Sequence, residues 1–381
     1  MDTTVTPPEV DPPEPAEDQD DLDEMPRVHV TRKGVVLGCF FVVSAVAFLY
    51  FVLPQLADLE DTGRRVGKGD RWWLAGAFAF SVLSFGGYVM MFQGVFVRAG
   101  SRIDWRASYQ ITMAGLAATR LLAAGGAGGI ALTAWALRRA GMDRRTVADK
   151  TLAFLILTYA VYMGALVVIG FGLYLNLLPG PAPFAITVIP AVFGLVAIVL
   201  GLALSRVPPD LQGRLEGFAT RGGRLARIAQ RASNAPAAFS AGMREALCHV
   251  RERDPALLGA LAYWGFNIAT LWACFHAFGD PPPWPVIVMA YFVGFLGNLL
   301  PLPGGIGGVD GGMIGAFAAF GVDSGLAVVA VLVYRALTFW LPLIPGVIAY
   351  FRLRRTVEQW RYAIQSEVKD PANGAQPAHG T

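Results

Sequence analysis

Charge is scarce in this chain. Only 15% of its 381 residues are Asp, Glu, Lys or Arg, against roughly 25% in an ordinary soluble domain. That excludes a soluble enzyme and a nucleic-acid-binding domain, both of which need a solvated, charged surface. Cysteine is rarer still: Cys39, Cys248 and Cys274 stand far apart without metal-ligand spacing, which argues against a disulfide scaffold or a zinc site. The four histidines, His29, His249, His276 and His379, fall in separate regions and supply no phosphatase or metal-hydrolase cluster. A Gly-x-x-x-x-Gly-Lys phosphate loop is missing, so ATP-driven transport by this chain alone is unsupported, and the glycines of 305–312 follow no strand and form no dinucleotide site. No enzymatic constellation, cofactor, metal ion or nucleic-acid partner is therefore expected.

What is present is apolar and segmented. Hydrophobic residues make up 55% of the chain, mean hydropathy is +0.49, and charge-free runs such as 35–53 and 184–204 recur along it. About 20 apolar residues cross the ~30 Å hydrocarbon core as a helix, so several such runs predict an all-α, polytopic helical membrane protein. Strand alternation of the kind a membrane barrel needs is absent. Six full spans are expected, near residues 34–55, 72–97, 147–172, 184–206, 256–279 and 323–351. The net charge of +3 conceals two unlike parts: residues 1–26 hold ten acidic side chains, six prolines and no Lys or Arg, whereas the rest carries 31 basic against 18 acidic, a net of +13. The acidic stretch cannot bury a core and reads as a disordered tail. It lacks the basic start of a signal peptide, so run 35–53 reads as an uncleaved anchor. Residues 27–355 then form one transmembrane domain and 356–381 a cytoplasmic tail.

Two apolar regions, 108–139 and 286–320, are broken in the middle by glycine. Gly125, Gly126, Gly128 and Gly129 interrupt the first; Gly304, Gly305, Gly307 and Gly308 interrupt the second at an offset of 179 residues, and Gly115 matches Gly294 at the same offset. Arms of about 12–15 residues reach only ~18–22 Å, short of a full crossing, so each region reads as a re-entrant hairpin. Lys and Arg mark cytoplasmic loops. Arg98, Arg102, Arg106, Arg138, Arg139, Arg144, Arg145 and Lys150 flank the first hairpin, while 173–183, 280–285 and 320–325 carry no basic residue. The hairpins are thus expected to enter from opposite faces as an inverted repeat, with both chain termini in the cytoplasm. Segment 56–71, expected outside, runs against this with Arg64, Arg65, Lys68 and Arg71. Close helix packing is the plainer reading of the glycines, since Gly304, Gly308 and Gly312 repeat every fourth residue; two matched, opposed copies favour a midplane transport site.

Ionisable residues inside spans ask for a reason. Arg335, deep in the last span, reads either as a bidentate holder of a lipid phosphate or as a cap on carbonyls of a broken helix. Arg120, in the first hairpin, is the second candidate. Asp310 at the start of a return arm reads as a helix cap, as a partner of Arg335 or as a proton-coupling group. Asn298 is a polar lining residue or a helix-end cap. His276, beside Trp272 and Phe275, reads as a tucked interfacial histidine, and Pro342 and Pro345 are expected to kink the last span. Segment 207–254 carries eight arginines against five acids and suits an amphipathic element on anionic headgroups at the cytoplasmic face.

Pro303-Gly304-Gly305-Ile306-Gly307, then Asp310, then a span containing Tyr334-Arg335, resembles the transmembrane region of lysylphosphatidylglycerol synthases, a flippase-like membrane family, over residues 34–355. The resemblance implies a multi-pass protein of the cytoplasmic membrane that moves a lipid headgroup between leaflets, and it adds Tyr334 to the lipid-binding set. The chain ends soon after its last span, so the family's synthase reaction is not carried over. Val309 stands where the family usually has Arg, and 124–129 replaces a pattern with Arg and Glu by Ala and Gly; other side chains must serve, or another lipid is carried. The expected function is a flippase or transporter for a phosphate-bearing amphipathic lipid, polyprenyl or glycerophospholipid. The alternative is a non-transporting assembly factor that presents lipid or a partner to a separate transferase.

Overall fold

The computed structural model describes residues 69–97, 103–121, 127–206, 239–240, 242–248, 251–252, 254–299, 305 and 307–369. The expected acidic tail, the anchor near 34–55, both hairpin tips with Gly125, Gly126 and Gly304, and the basic segment up to residue 238 lie outside the described residues. The chain is all-α, with no strand among the described residues. Its principal helices are α1 (Arg71–Phe96), α2 (Trp105–Leu121), α3 (Ala127–Arg139), α4 (Arg144–Tyr174), α5 (Phe184–Ser205), α6 (Pro255–Phe278), α7 (Trp284–Phe295), α8 (Gly308–Ala319), α9 (Ser324–Arg335) and α10 (Leu343–Lys369). Among the described residues, five stretches are long and apolar enough to cross a membrane: α1, α4, α5, α6 and the α9–α10 run over Ser324–Trp360. They coincide with five of the expected spans to within a few residues at most ends; the last helix runs on past the expected end of its span, to Lys369.

Aspartate caps the starts of α1, α4, α6 and α9. Asp70 accepts from the Trp72 backbone N–H at 2.8 Å, Asp143 from Thr146 and Asp254 from Ala256 at 2.9 Å, and Asp323 from Leu326 at 2.9 Å. Each satisfies a backbone donor that the first turn leaves open and places negative charge at the positive end of the helix dipole. Hydrogen bonding from Thr146 holds the exposed Asp143 carboxyl below the usual carboxylate range.

The broken regions form two helical hairpins. In the first, Gly115 faces Gly129 and Thr133 while Gly129 also faces Thr119; in the second, Gly294 faces Met313 and Gly297 faces Gly308 and Val309. Partner numbers fall on one arm as they rise on the other, as antiparallel arms require. With 17, 13, 12 and 12 residues, the arms span about 18–26 Å, less than the ~30 Å hydrocarbon core. Glycine is needed at these contacts because a Cβ on Gly294 or Gly297 would meet the backbone of the opposite arm.

The apolar interior divides into two clusters, one around each hairpin. The first hairpin packs with the C-terminal half of α1, the N-terminal parts of α4 and α6, and α10, through Phe92, Phe96, Ile111, Leu137, Phe154, Ala260 and Leu353. The second packs with the C-terminal halves of α4 and α6, the start of α1 and α9, through Ala77, Leu166, Phe275, Tyr291, Phe317 and Val331. The same three long helices therefore hold the two hairpins at opposite ends. The tightest seam joins α1 to α6, where Gly87 and Gly259 bring the two backbones together. At the other end of this seam His276 stacks on Trp73, with ring centroids 4.3 Å apart, and meets Trp272 edge-on, as a tucked histidine should.

Candidate functional site

The site is built on a defect in the last membrane run. Between α9 and α10 the chain makes a π-turn, Ala336–Trp340, closed by the Leu341 N–H on the Ala336 carbonyl at 2.9 Å. Pro342 has no N–H, so it cannot supply the α-helical bond to the carbonyl of Thr338. Arg120, at the end of α2, takes over: its Nη2 donates to the Thr338 carbonyl at 2.9 Å and its Nη1 to the Phe339 carbonyl at 2.8 Å. The last span is broken where the first of the two prolines falls, and the arginine that caps its freed carbonyls is Arg120 rather than Arg335. Backbone freed in a membrane needs such a partner, because no water is there to replace it.

Arg335 does something different. Its Nε lies 2.5 Å from Asp310 Oδ1, and both side chains are only 11% exposed. The contact is an ion pair whose alignment falls short of a hydrogen bond, and Arg335 Nη2 is buried without an acceptor among the described residues. Asp310 is held from its other side, where Oδ2 accepts from the Gly307 N–H at 3.0 Å. Gly307 has φ +82°, a conformation that favours glycine, and it turns the chain into α8. Asp310 is thus both the helix cap and the partner of Arg335. The ring of Phe339 lies between the two arginines, 4.9 Å from the Arg120 guanidinium and 4.6 Å from that of Arg335. One residue further on, Trp340 is half exposed and points out of the fold. Residues from both hairpins, Arg120 and Asp310, therefore converge on the π-turn.

Tyr334 anchors this centre to the bundle. Its hydroxyl meets that of Tyr291 on α7 at 3.1 Å and donates to Asn267 Oδ1 on α6 at 3.2 Å. Asn267 Nδ2 in turn donates to Ser84 Oγ on α1 and to the Tyr263 carbonyl. Four helices are joined by one buried polar seam, and Tyr88, Tyr263 and Tyr334 all lie within electrostatic reach of Arg120. Hydrogen bonds between membrane helices contribute about 0.6 kcal/mol each on average and at most about 1.7. A double-mutant cycle on Asn267→Ala and Tyr334→Phe in thermal unfolding is expected to show coupling in that range; strict additivity would remove the seam from the account.

Asn298 sits on the 3₁₀ turn Leu296–Leu299 that ends α7, exposed, with its side-chain oxygen against Gly305. Gly128 and Gly129 lie in the first turn of α3, and Gly305, Gly307 and Gly308 lead into α8. Three features escaped the sequence reading. Phe339 gave no signal among many apolar neighbours. Asn267 did give one, an amide in the middle of an apolar span. Lys150, counted with the basic flank, is buried in α4 with its ammonium donating to the Val95 carbonyl near the end of α1.

Long membrane helices enclosing two short-helix hairpins, with an ion pair and a second arginine at a helix break, define a polytopic α-helical membrane protein with a buried charged centre. The family model of the lysylphosphatidylglycerol synthase transmembrane region matches residues 35–346, and the chain belongs to that family. A membrane protein of the UPF0104 group from Methanothermobacter thermautotrophicus is 25% identical over 336 residues, 84% of this chain and 95% of the relative. A match to a UPF0104 membrane protein of the same organism at 35% identity covers 91 residues, 24% of this chain; there the chain spans about a quarter of the relative's length, 26%.

Proposed function

We propose that the protein is a lipid transporter that moves a phosphate-bearing amphipathic lipid between the leaflets of the cytoplasmic membrane, without chemistry on the lipid. The observation that carries this is the buried Nη2 of Arg335, a cationic donor with no acceptor among the described residues, in a site reached by both hairpins. A guanidinium suits a phosphate, and Arg120 adds positive field although its own Nη groups are committed to carbonyls. The two hairpins enter from opposite faces in this reading, which their packing at opposite ends of α1, α4 and α6 supports. The exposed Arg144 and Arg145 at the start of α4 and Arg352, Arg354 and Arg355 on α10 mark the cytoplasmic side, where anionic headgroups gather. Phosphate held at the centre, with the chains in the bilayer beside Trp340, gives the headgroup a path that avoids the hydrocarbon.

The test is reconstitution into vesicles with a panel of labelled lipids. Phosphate-bearing lipids are expected to exchange leaflets faster than in protein-free vesicles, while a lipid of the same chains with an uncharged headgroup is not. Rates equal to those of empty vesicles across the panel would turn the account toward an assembly factor that presents lipid to a separate transferase.

A further inference from the structure

We infer that Asp310 sets the charge selectivity of this centre, fitting it to a singly charged phosphodiester headgroup and against a doubly charged phosphomonoester. The inference rests on the transport reading above. It follows from a count of charges: among the described residues of the centre, Arg120 and Arg335 are positive and Asp310, in its ion pair, is negative, a net +1. The hairpin tips 122–126 and 300–304 contain only Leu, Ala, Gly and Pro, so they add no charge. The phenols nearest the arginines, Tyr88, Tyr263, Tyr291 and Tyr334, belong to a group that ordinarily ionises near pH ~10 and count as neutral. A phosphodiester brings one negative charge and makes the site neutral. A phosphomonoester near neutral pH brings ~1.5–2, and the excess has no cation to meet it in a medium where an unpaired charge is costly.

The geometry agrees with the count. Arg335 presents one buried donor group, Nη2, without an acceptor among the described residues, while its Nε faces Asp310 and each Nη of Arg120 already gives one N–H to a carbonyl of the π-turn. Swinging the carboxylate aside to admit more negative charge would cost the cap of α8, because its other oxygen accepts from the Gly307 N–H. Asp310 is therefore a specificity-determining residue. It removes one unit of attraction that two arginines would otherwise offer to any phosphate.

The experiment compares two labelled lipids with identical chains, a glycerol phosphodiester and the corresponding phosphomonoester, in vesicles of zwitterionic carrier lipid containing the full chain. At pH 8 the wild-type protein is expected to transfer the diester at least about tenfold faster, the ratio that ~1.4 kcal/mol of discrimination gives. At pH 5, below the second phosphate pKa of ~6, the monoester carries mostly one charge and its transfer is expected to rise toward that of the diester. Asp310→Asn raises the centre to +2 and is expected to reverse the preference at pH 8. Equal wild-type rates at pH 8, a monoester rate that ignores pH, or an Asp310→Asn protein that keeps the wild-type ratio would each overturn the inference; the first two need no variant and survive a folding failure of the third. An excess of the water-soluble glycerol phosphodiester separates the sources: lipid transfer that continues assigns the centre to the lipid-borne headgroup, and uptake of the soluble diester in its place overturns that assignment. If neither lipid moves faster than in empty vesicles, the transport reading itself has failed; transport without charge preference fails the inference alone.

Discussion

Arg335→Gln is expected to reduce lipid transfer in reconstituted vesicles by at least about 30-fold. Truncating one partner of a buried, hydrogen-bonded charge pair costs roughly 2–5 kcal/mol in recognition, and each ~1.4 kcal/mol is a factor of ten. The substitution also strips Asp310 of its counter-ion, and breaking a buried pair destabilises by about 3–5 kcal/mol. Two further proteins separate these effects. Arg335→Lys keeps the charge but loses the planar fork, so it is expected to retain stability with partial transfer. Asp310→Asn combined with Arg335→Gln removes both charges and is expected to recover the thermal stability lost in Arg335→Gln without recovering transfer. Transfer at the wild-type rate in the stable double variant would show that the arginine serves the fold alone.

The second large effect lies away from the site. At Gly259 an added Cβ would lie against the Met91 backbone and 2.7 Å from the Gly87 carbonyl oxygen, and at Gly87 it would lie 2.7 Å from the Tyr263 nitrogen. Neither backbone can yield locally, since both are hydrogen-bonded helix. Membrane helices gain nothing from hydrophobic burial against lipid of similar polarity, so they depend on this close approach. Gly259→Val is expected to force α1 from α6, which would also pull Ser84 from Asn267, and to cost about 3 kcal/mol or more, at or beyond the usual range for overpacking. Gly265 on the same helix has open space around it, so Gly265→Val is the matched control and should leave the melting temperature almost unchanged. Equal stability of the two variants would contradict the seam.

Spans were legible because hydrocarbon thickness fixes a length, and a charge-free run of that length has few other uses. The pairing of the broken regions into helical hairpins was legible for a related reason: their arms are shorter than a full span, and glycines mark where arms touch, as Gly129 and Gly294 do. Asp310 was legible as a cap because a carboxylate at the start of a helix has a local use, and its pairing with Arg335 was one of the readings left open. Arg120 was legible as a second phosphate candidate but not as the cap of a broken helix. Which carbonyls it satisfies depends on the rotation of α2 against a turn more than 200 residues away, and periodicity does not encode that. The vacancy it fills was nonetheless written in the chain, since Pro342 removes the donor that Thr338 would have used. Phe339 was invisible because it differs from its apolar neighbours in placement alone.

The proposed route needs two hairpins that enter from opposite faces and meet at one charged centre, and sidedness tests it most directly. Single cysteines replace Arg145, Leu177 and Ser324 in a cysteine-free protein, and a membrane-impermeant maleimide is applied to right-side-out and inverted membrane vesicles. Arg145→Cys, beside the first hairpin, is expected to react from the cytoplasmic side alone. Leu177→Cys and Ser324→Cys, the latter beside the second hairpin, are expected to react from the outer side alone. Labelling of positions 145 and 324 from the same face would contradict the opposed hairpins, and with them a route for the headgroup through Arg335.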